Sequence, residues 1–343
     1  SSSRAYAMPL KGPGILEVPV AFGSFSRNFG PQGTDFGYFG GAYPAKSTVD
    51  RIDYSNDTAT AAVKGPLSGA KYSMGATGNA SSGYFGGGEP ADSKVERIDY
   101  SNDTATAVAK GPLSDGRKAL AATGNASFGY FGGGRNPTKS TVDRVNYSND
   151  TATAVAKGPL SSARKYLTAT GNQSFGYFGG GGPSPDVSTV DRIDYSNDTG
   201  TTPSKGPLSS ARYGVQATGN ADFGYFAGGR TPSLASTVDR IDYSNDTATA
   251  AVKGPLSAVK VYGGATGNAD SGYFGGGHDG SSPGYLSSVD RIDYSNDTAT
   301  ASAKGSLSIT RHHAAACSSR ANAMLLENIV NYAAGTLATP NTG

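Results

Sequence analysis

The chain has 343 residues, a formal net charge of +2 with both signs interspersed, one cysteine and 50 glycines. That balance leaves no electrostatic footprint for nucleic acid or an anionic membrane. A single Cys317 excludes an internal disulfide framework and a multi-cysteine zinc site, and no apolar run of about 18 residues exists to form a spanning helix.

The first residues, Ser1-Ser2-Ser3-Arg4, carry no signal-peptide core and no initiator methionine, which fits a processed chain or part of a longer product. Residues 4–13 read as a strand followed by a Lys11-Gly12-Pro13 exit. From there one phrase is written six times: Gly-Tyr-Phe-Gly-Gly, a variable stretch, then Val-Asp-Arg-Ile-Asp-Tyr-Ser-Asn-Asp-Thr, with small changes. Its second Tyr falls at Tyr54, Tyr100, Tyr147, Tyr195, Tyr243 and Tyr294, at intervals of 46, 47, 48, 48 and 51 residues. A period in the 40s with strand-like segments signals a propeller, solenoid or array. Repeats that stack on their neighbours share one core, so a single domain over 1–343 is expected despite the length.

In the fifth copy, residues 211–218 form a short small-residue strand and 219–222 a turn. Residues 223–227 form an aromatic strand closed by Gly228-Gly229, and 237–243 a third strand. Ser244-Asn245-Asp246 is turn chemistry and 247–252 a fourth strand, before Lys253-Gly254-Pro255 breaks it. No segment sustains a helical period. Four antiparallel strands per unit predict an all-β propeller blade. After the sixth copy, residues 311–317 read as another first strand, and 323–326 and 329–332 fall where the second and third would be. Residues 311–343 and 1–13 total 46, one period, which predicts a degenerate seventh blade assembled from both termini. Six blades with decorated termini is the alternative.

Arg212, the doublet Gly228-Gly229 and Tyr243 resemble the kelch repeat: a basic residue leads the first strand, a glycine doublet closes the second and a Tyr ends the third. The doublet and the Tyr recur in all six copies. The resemblance covers most of the chain and implies a kelch-type β-propeller. The family's fourth-strand Trp is missing, since the chain has none, so a thinner or covered outer edge is expected. The near-identity of the copies, in the phrase Tyr-Ser-Asn-Asp-Thr-Ala-Thr-Ala, is also similar to kelch-type propellers encoded by marine cyanophages and related environmental sequences.

Diversity concentrates in the loop after the glycine doublet. It carries Tyr43 in the first copy, Glu89 in the second, Arg135 in the third and Asp186 in the fourth. The fifth has Arg230, and the sixth and longest has His278, Asp279 and Tyr285. In an up-and-down blade these loops share a face with the connections leading into Lys71, Arg117, Arg164, Arg212, Lys260 and Arg311. Loops on a rigid scaffold are a common seat of recognition. The competing reading is drift in unconstrained loops, with each basic residue capping a strand or carboxylate.

Asp53, Ser55 and Asp57 have alternate-oxygen spacing, but the Gly and distant Glu of a calcium loop do not follow, so a hairpin turn is expected. Asp239, Arg240 and Asp242 in the third strand predict recurring interblade Arg–carboxylate contacts. Kelch-like oxidases hold copper with two His and two Tyr, one Tyr linked to a Cys. His312, His313 and Cys317 sit together in one strand, where adjacent side chains face opposite ways, and no metal or cofactor is expected. The expected function is non-enzymatic: an extracellular or virion-associated module binding a glycan or protein through the variable-loop face. A structural subunit of a filament, built by propeller–propeller packing, is the second expectation, and a channel-site enzyme the third.

Overall fold

A computed structural model describes residues 36–182 and 185–318. They form six antiparallel sheets arranged as the blades of a propeller, whose inner strands succeed one another in a closed ring, and a two-stranded hairpin, Arg230–Thr231 with Ser233–Leu234. In blade 2 the strands run from the axis outward as Gly75–Gly78, Ser82–Gly86, Val95–Asp99 and Val108–Lys110. Blades 3, 5 and 6 repeat this order. The second strand of blade 5, Phe223–Ala227, has the bounds read from the sequence.

Blade 1 decides how many blades there are. Its second, third and outer strands are Phe36–Gly40, Val49–Asp53 and Ala62–Lys64, and its inner strand is Ala315–Ser318 from the other end of the chain. Tyr38 pairs with Cys317 and Phe39 with Ala316. The ring therefore closes with six blades, and the seventh blade expected from both termini is corrected. Residues 311–318 do begin a blade, but the partner of that strand is Phe36–Gly40 rather than residues 323–326. Residues 1–13 and 319–343, the rest of that expected blade, lie outside the described residues.

Blade 4 has three strands, Thr168–Gly171, Phe175–Gly179 and Val190–Asp194. Where other blades carry Ala-Val, Val-Ala or, in blade 6, Ser302-Ala303 in the outer strand, it has Pro203-Ser204, and proline cannot donate to a ladder. Where present, outer strands are three residues long, and their Val63, Val108, Val155 and Val252 are 54 to 61% exposed. This is the thin edge expected without tryptophan.

The core lies between blades, and the constant phrase explains it. The Tyr of each Gly-Tyr-Phe-Gly stacks on the Tyr of Tyr-Ser-Asn in the next blade, with six ring separations of 4.7 to 4.9 Å. Such pairs contribute about 0.5–1.5 kcal/mol each beyond burial. The same Tyr donates its hydroxyl to the Asp of Asn-Asp-Thr in the next blade, as Tyr84 does to Asp150 at 2.9 Å. That carboxylate also accepts from Arg97 at 2.7 Å and pairs with Lys110 at 3.2 Å. All six interfaces carry this clasp, including the one from Tyr273, Arg291 and Lys304 to Asp57 that joins blade 6 to blade 1. The expected Arg–carboxylate contacts between blades are present. The leading glycine of the phrase is steric: a Cβ at Gly37 would collide with Tyr54 Oη and Thr266 Cγ2 of the adjoining blade.

Asp53 and Asp57 do not converge. Asp53 caps a short 3₁₀ turn at Tyr54–Asn56, accepting from Ser55 N at 2.9 Å, while Asp57 belongs to the interblade clasp.

Candidate functional site

The six basic leads turn inward. Lys71, Arg117, Arg164, Arg212, Lys260 and Arg311 are all buried. Each meets a carboxylate in the third strand of its own blade: Arg117 with Asp143 at 3.0 Å, Arg164 with Asp191 at 2.7 Å, Arg212 with Asp239 at 2.5 Å. Lys260 meets Asp290 at 3.1 Å and Arg311 meets Asp50 at 3.0 Å, while Lys71 pairs with Asp92 at 2.7 Å and lies 4.0 Å from Glu96. Burial pulls the pKa of Arg117, Arg164, Arg212 and Lys260 down, and the facing carboxylate opposes it. The guanidinium fork also donates to backbone, as from Arg311 Nη1 to Gly41 O at 2.9 Å and Thr48 O at 3.0 Å. Arg164, Arg212 and Arg311 thereby staple the base of their variable loops, a use for which Arg geometry is suited.

The variable loops do share one face with these leads, around one mouth of the central channel. Tyr43, Glu89, Arg135, Arg230 and His278 occupy equivalent places and bridge, in antiparallel fashion, to His312, Tyr72, Lys118, Tyr213 and Val261. In blade 4 the place is Gly182, bridged to Lys165, and Asp186 Oδ1 lies 3.0 Å from where a Cβ at Gly182 would stand. Burial raises the pKa of Asp186. Asp279 is exposed and closes a local turn by accepting from Ser281 N at 2.8 Å.

Nearer the axis, Ser73, Ala119, Tyr166, Gly214, Tyr262 and His313 form an innermost ring. Each backbone N–H donates to the carbonyl of the preceding member at 2.7 to 3.0 Å, from Ser73 N to His313 O and, last in the round, from His313 N to Tyr262 O. The cycle has six hydrogen bonds and no end. It holds all six residues at φ of 55° to 65°, although only one is glycine. A non-glycine residue there costs on the order of 1 kcal/mol or more, and the closed cycle over-determines it.

On a nearly sixfold framework the mouth is asymmetric. From Tyr166 in blade 4 round to Tyr72 in blade 2, aromatic and imidazole rings gather into a basin. Tyr262 lies 4.0 Å from His313 and 5.2 Å from Tyr166, and Tyr285 stacks on His312 at 5.4 Å. Tyr43 meets Tyr72 edge-on at 5.1 Å, and His278 lies 5.2 Å from His312. The Arg135 guanidinium sits 5.3 Å over Tyr166, and Glu89 pairs with Lys118. The likeness is to β-propellers. The chain is similar in fold to a solved structure titled "Structure of YjhT", with a TM-score of 0.64, 12% identity, and coverage of 80% of this chain and 98% of that one. At that identity the likeness concerns fold alone. No protein-family model and no curated protein sequence matches the chain.

Of the residues expected at a site, Tyr43, Arg135, His278 and Tyr285 join the basin, with Glu89 at its edge. Tyr72, Tyr166, Tyr213, Tyr262, His312 and His313 belong to it and were not singled out as binding residues. The signal was present, because the two residues after each basic lead vary as much as the loops do: Tyr-Ser, Lys-Ala, Lys-Tyr, Tyr-Gly, Val-Tyr and His-His. Cys317 lies deeper, where five blades carry Thr, and accepts from Tyr100 at 3.7 Å. Among the described residues no group of three or more His, Cys, Asp or Glu is placed to hold a metal ion, and no helix is long and apolar enough to cross a membrane.

Burial, with help from neighbouring imidazoles, lowers the pKa of His312 to about 4 and of His313 to about 3, the latter also by Arg135. Both imidazoles are therefore neutral at neutral pH and offer ring faces without charge. The unfolded chain protonates near pH 6.5 and the folded one does not, so the unfolded state binds more protons between about pH 6.5 and 4. Stability is complete above that window and falls as pH drops through it. Thermal midpoints measured from pH 7.5 to 4.5 should decline, and a His312→Gln/His313→Gln variant should flatten the decline. An equally steep decline in the variant would show that the two imidazoles are not its source.

Proposed function

We propose that this propeller is a non-enzymatic binding module of the kelch type, which takes a glycan in the aromatic basin at the channel mouth. An extracellular or virion-surface setting, in an adhesion structure such as a tail fibre of the cyanophage-like kind, accords with that role. The observation carrying the reading is the broken symmetry. The framework repeats almost word for word, while the mouth departs from it and fills with Tyr and His rings. Tyr presents a flat apolar face with a polar tip at low conformational cost, which suits a sugar ring and equally a protein loop. The inner strands beneath it, such as Ala169-Thr170 and Ala217-Thr218, carry no titratable pair for acid–base work.

The test is a glycan array probed with wild-type protein and with Tyr43→Ala/Tyr285→Ala. Loss of two stacking faces should weaken binding by roughly tenfold while the melting profile stays in place. Binding that ignores both substitutions would remove the basin from recognition. A second reading, a filament subunit, is favoured by the exposed valines on the outermost strand of four blades. Concentration-dependent ordered assembly that ignores the basin variants would select it.

A further inference from the structure

Between the innermost ring and the inner strands the channel holds a cavity of about 100 Å³. That is several times the roughly 10–15 Å³ that one water requires. Tyr166, Tyr262 and His313 stand at its rim, and most of its wall is Ala and Gly. Gln216 breaks this wall. The first inner-strand residue is Gly75, Ala121, Thr168, Gly264 and Ala315 in the other blades, and a long amide side chain only here. Gln216 is 1% exposed, lines the cavity, and neither its Oε1 nor its Nε2 has a hydrogen-bond partner among the described residues.

The amide has been given room. The residue just before the inner strand is Met74, Leu120, Leu167, Val215 and Ala314 in five blades and Gly263 in blade 6. A Cβ at Gly263 would lie far inside contact distance of Gln216 Nε2 and also of Gly275 O. The Gln and the Gly therefore go together: the glycine vacates the space that the amide occupies. A buried amide left unpaired costs on the order of 1–3 kcal/mol, so the pairing is unfavourable unless something completes it.

We infer that the cavity accepts a small carboxamide, the acetamido substituent of an N-acetylated sugar whose ring rests on the tyrosines above. This rests on the glycan reading of the basin. The chemistry follows from Gln216. Its Oε1 accepts and its Nε2 donates, so a group that satisfies both must present a donor and an acceptor side by side, as an amide does. A carboxylate offers no donor and would enter a cavity lined by no cation. The methyl of an acetamido group meets Ala and Gly walls, and Thr168 adds a hydroxyl.

The experiment compares N-acetylglucosamine, glucose and free acetamide by ligand-observed NMR, on wild-type protein and on Gln216→Met. Methionine keeps the volume and removes both hydrogen-bonding atoms. N-acetylglucosamine should bind about tenfold more tightly than glucose to the wild type, and the ratio should collapse in Gln216→Met while glucose binding stays the same. A purely structural Gln216 would shift the melting temperature but not that ratio. Equal binding of the two sugars, or a ratio indifferent to the substitution, means that solvent completes the amide and overturns the assignment while the glycan reading stands. Acetamide binding that depends on Gln216, without sugar binding, supports the amide pocket and removes the glycan reading. No binding of any probe overturns both.

Discussion

Asp150→Ala should destabilise the propeller by about 3–5 kcal/mol, in the range seen when one partner of a buried ion pair is removed. The carboxylate accepts from Tyr84 Oη and Arg97 and pairs with Lys110, all from the preceding blade. Its loss leaves two cations facing each other without a counterion. It also leaves the hydroxyl of Tyr84, a side chain only 2% exposed, without its acceptor. The Arg97 side chain is 32% exposed, so solvent softens its part and the lower end of the range is expected. Asp150→Asn keeps an acceptor for Tyr84 and should cost less. Urea unfolding measures both. A change under about 1 kcal/mol for the alanine variant would mean that Tyr–Tyr stacking, not the clasp, holds the blades together.

Truncation after residue 310 should have a larger effect, abolishing cooperative unfolding altogether. It removes the inner strand Ala315–Ser318 from blade 1 and Arg311 from buried Asp50. It also takes His313 out of the hydrogen-bonded cycle, leaving Ser73 N without its acceptor. The penalty exceeds the roughly 5–15 kcal/mol that a whole domain has to lose, and it exposes the edge of Phe36–Gly40 to pairing with other chains. Calorimetry should show no sharp transition, and a peptide spanning residues 305–318 should restore one when added. A truncated chain that melts as sharply as the intact protein would contradict closure by this strand.

Much of the framework was legible because its causes are local. Asn-Asp turns, Gly-flanked aromatic strands and alternating charge in Val-Asp-Arg-Ile-Asp act within a few residues, and they recur often enough to be read six times. Even the interblade clasp was partly visible, since Arg240 in the third strand had to be paired if covered, although its partner is Asp297 of the next blade and Asp239 pairs with Arg212 in its own. The missing outer strand of blade 4 could have been seen at Pro203. The basic leads were misleading on their own. Arg212 and Arg311 look like a surface ring until Asp239 and Asp50, 27 residues later and 261 residues earlier, fold against them.

By itself, the sequence determined the four-strand unit, its period and its turn chemistry, because short-range sterics and hydrogen bonding specify each hairpin. Only the tertiary structure decided three things. The number of blades depends on which strand pairs with Phe36–Gly40, and that partner, Ala315–Ser318, comes from the far end of the chain and reads Ala-Ala-Cys-Ser where the other inner strands end in Ala-Thr-Gly. The fate of the basic residues depends on burial, which no single position reveals. The basin exists because residues from separate repeats, such as Tyr43, Tyr166, Tyr262 and His313, are brought to one axis by ring closure. Along the chain they are isolated departures from a repeated phrase; around the axis they are neighbours.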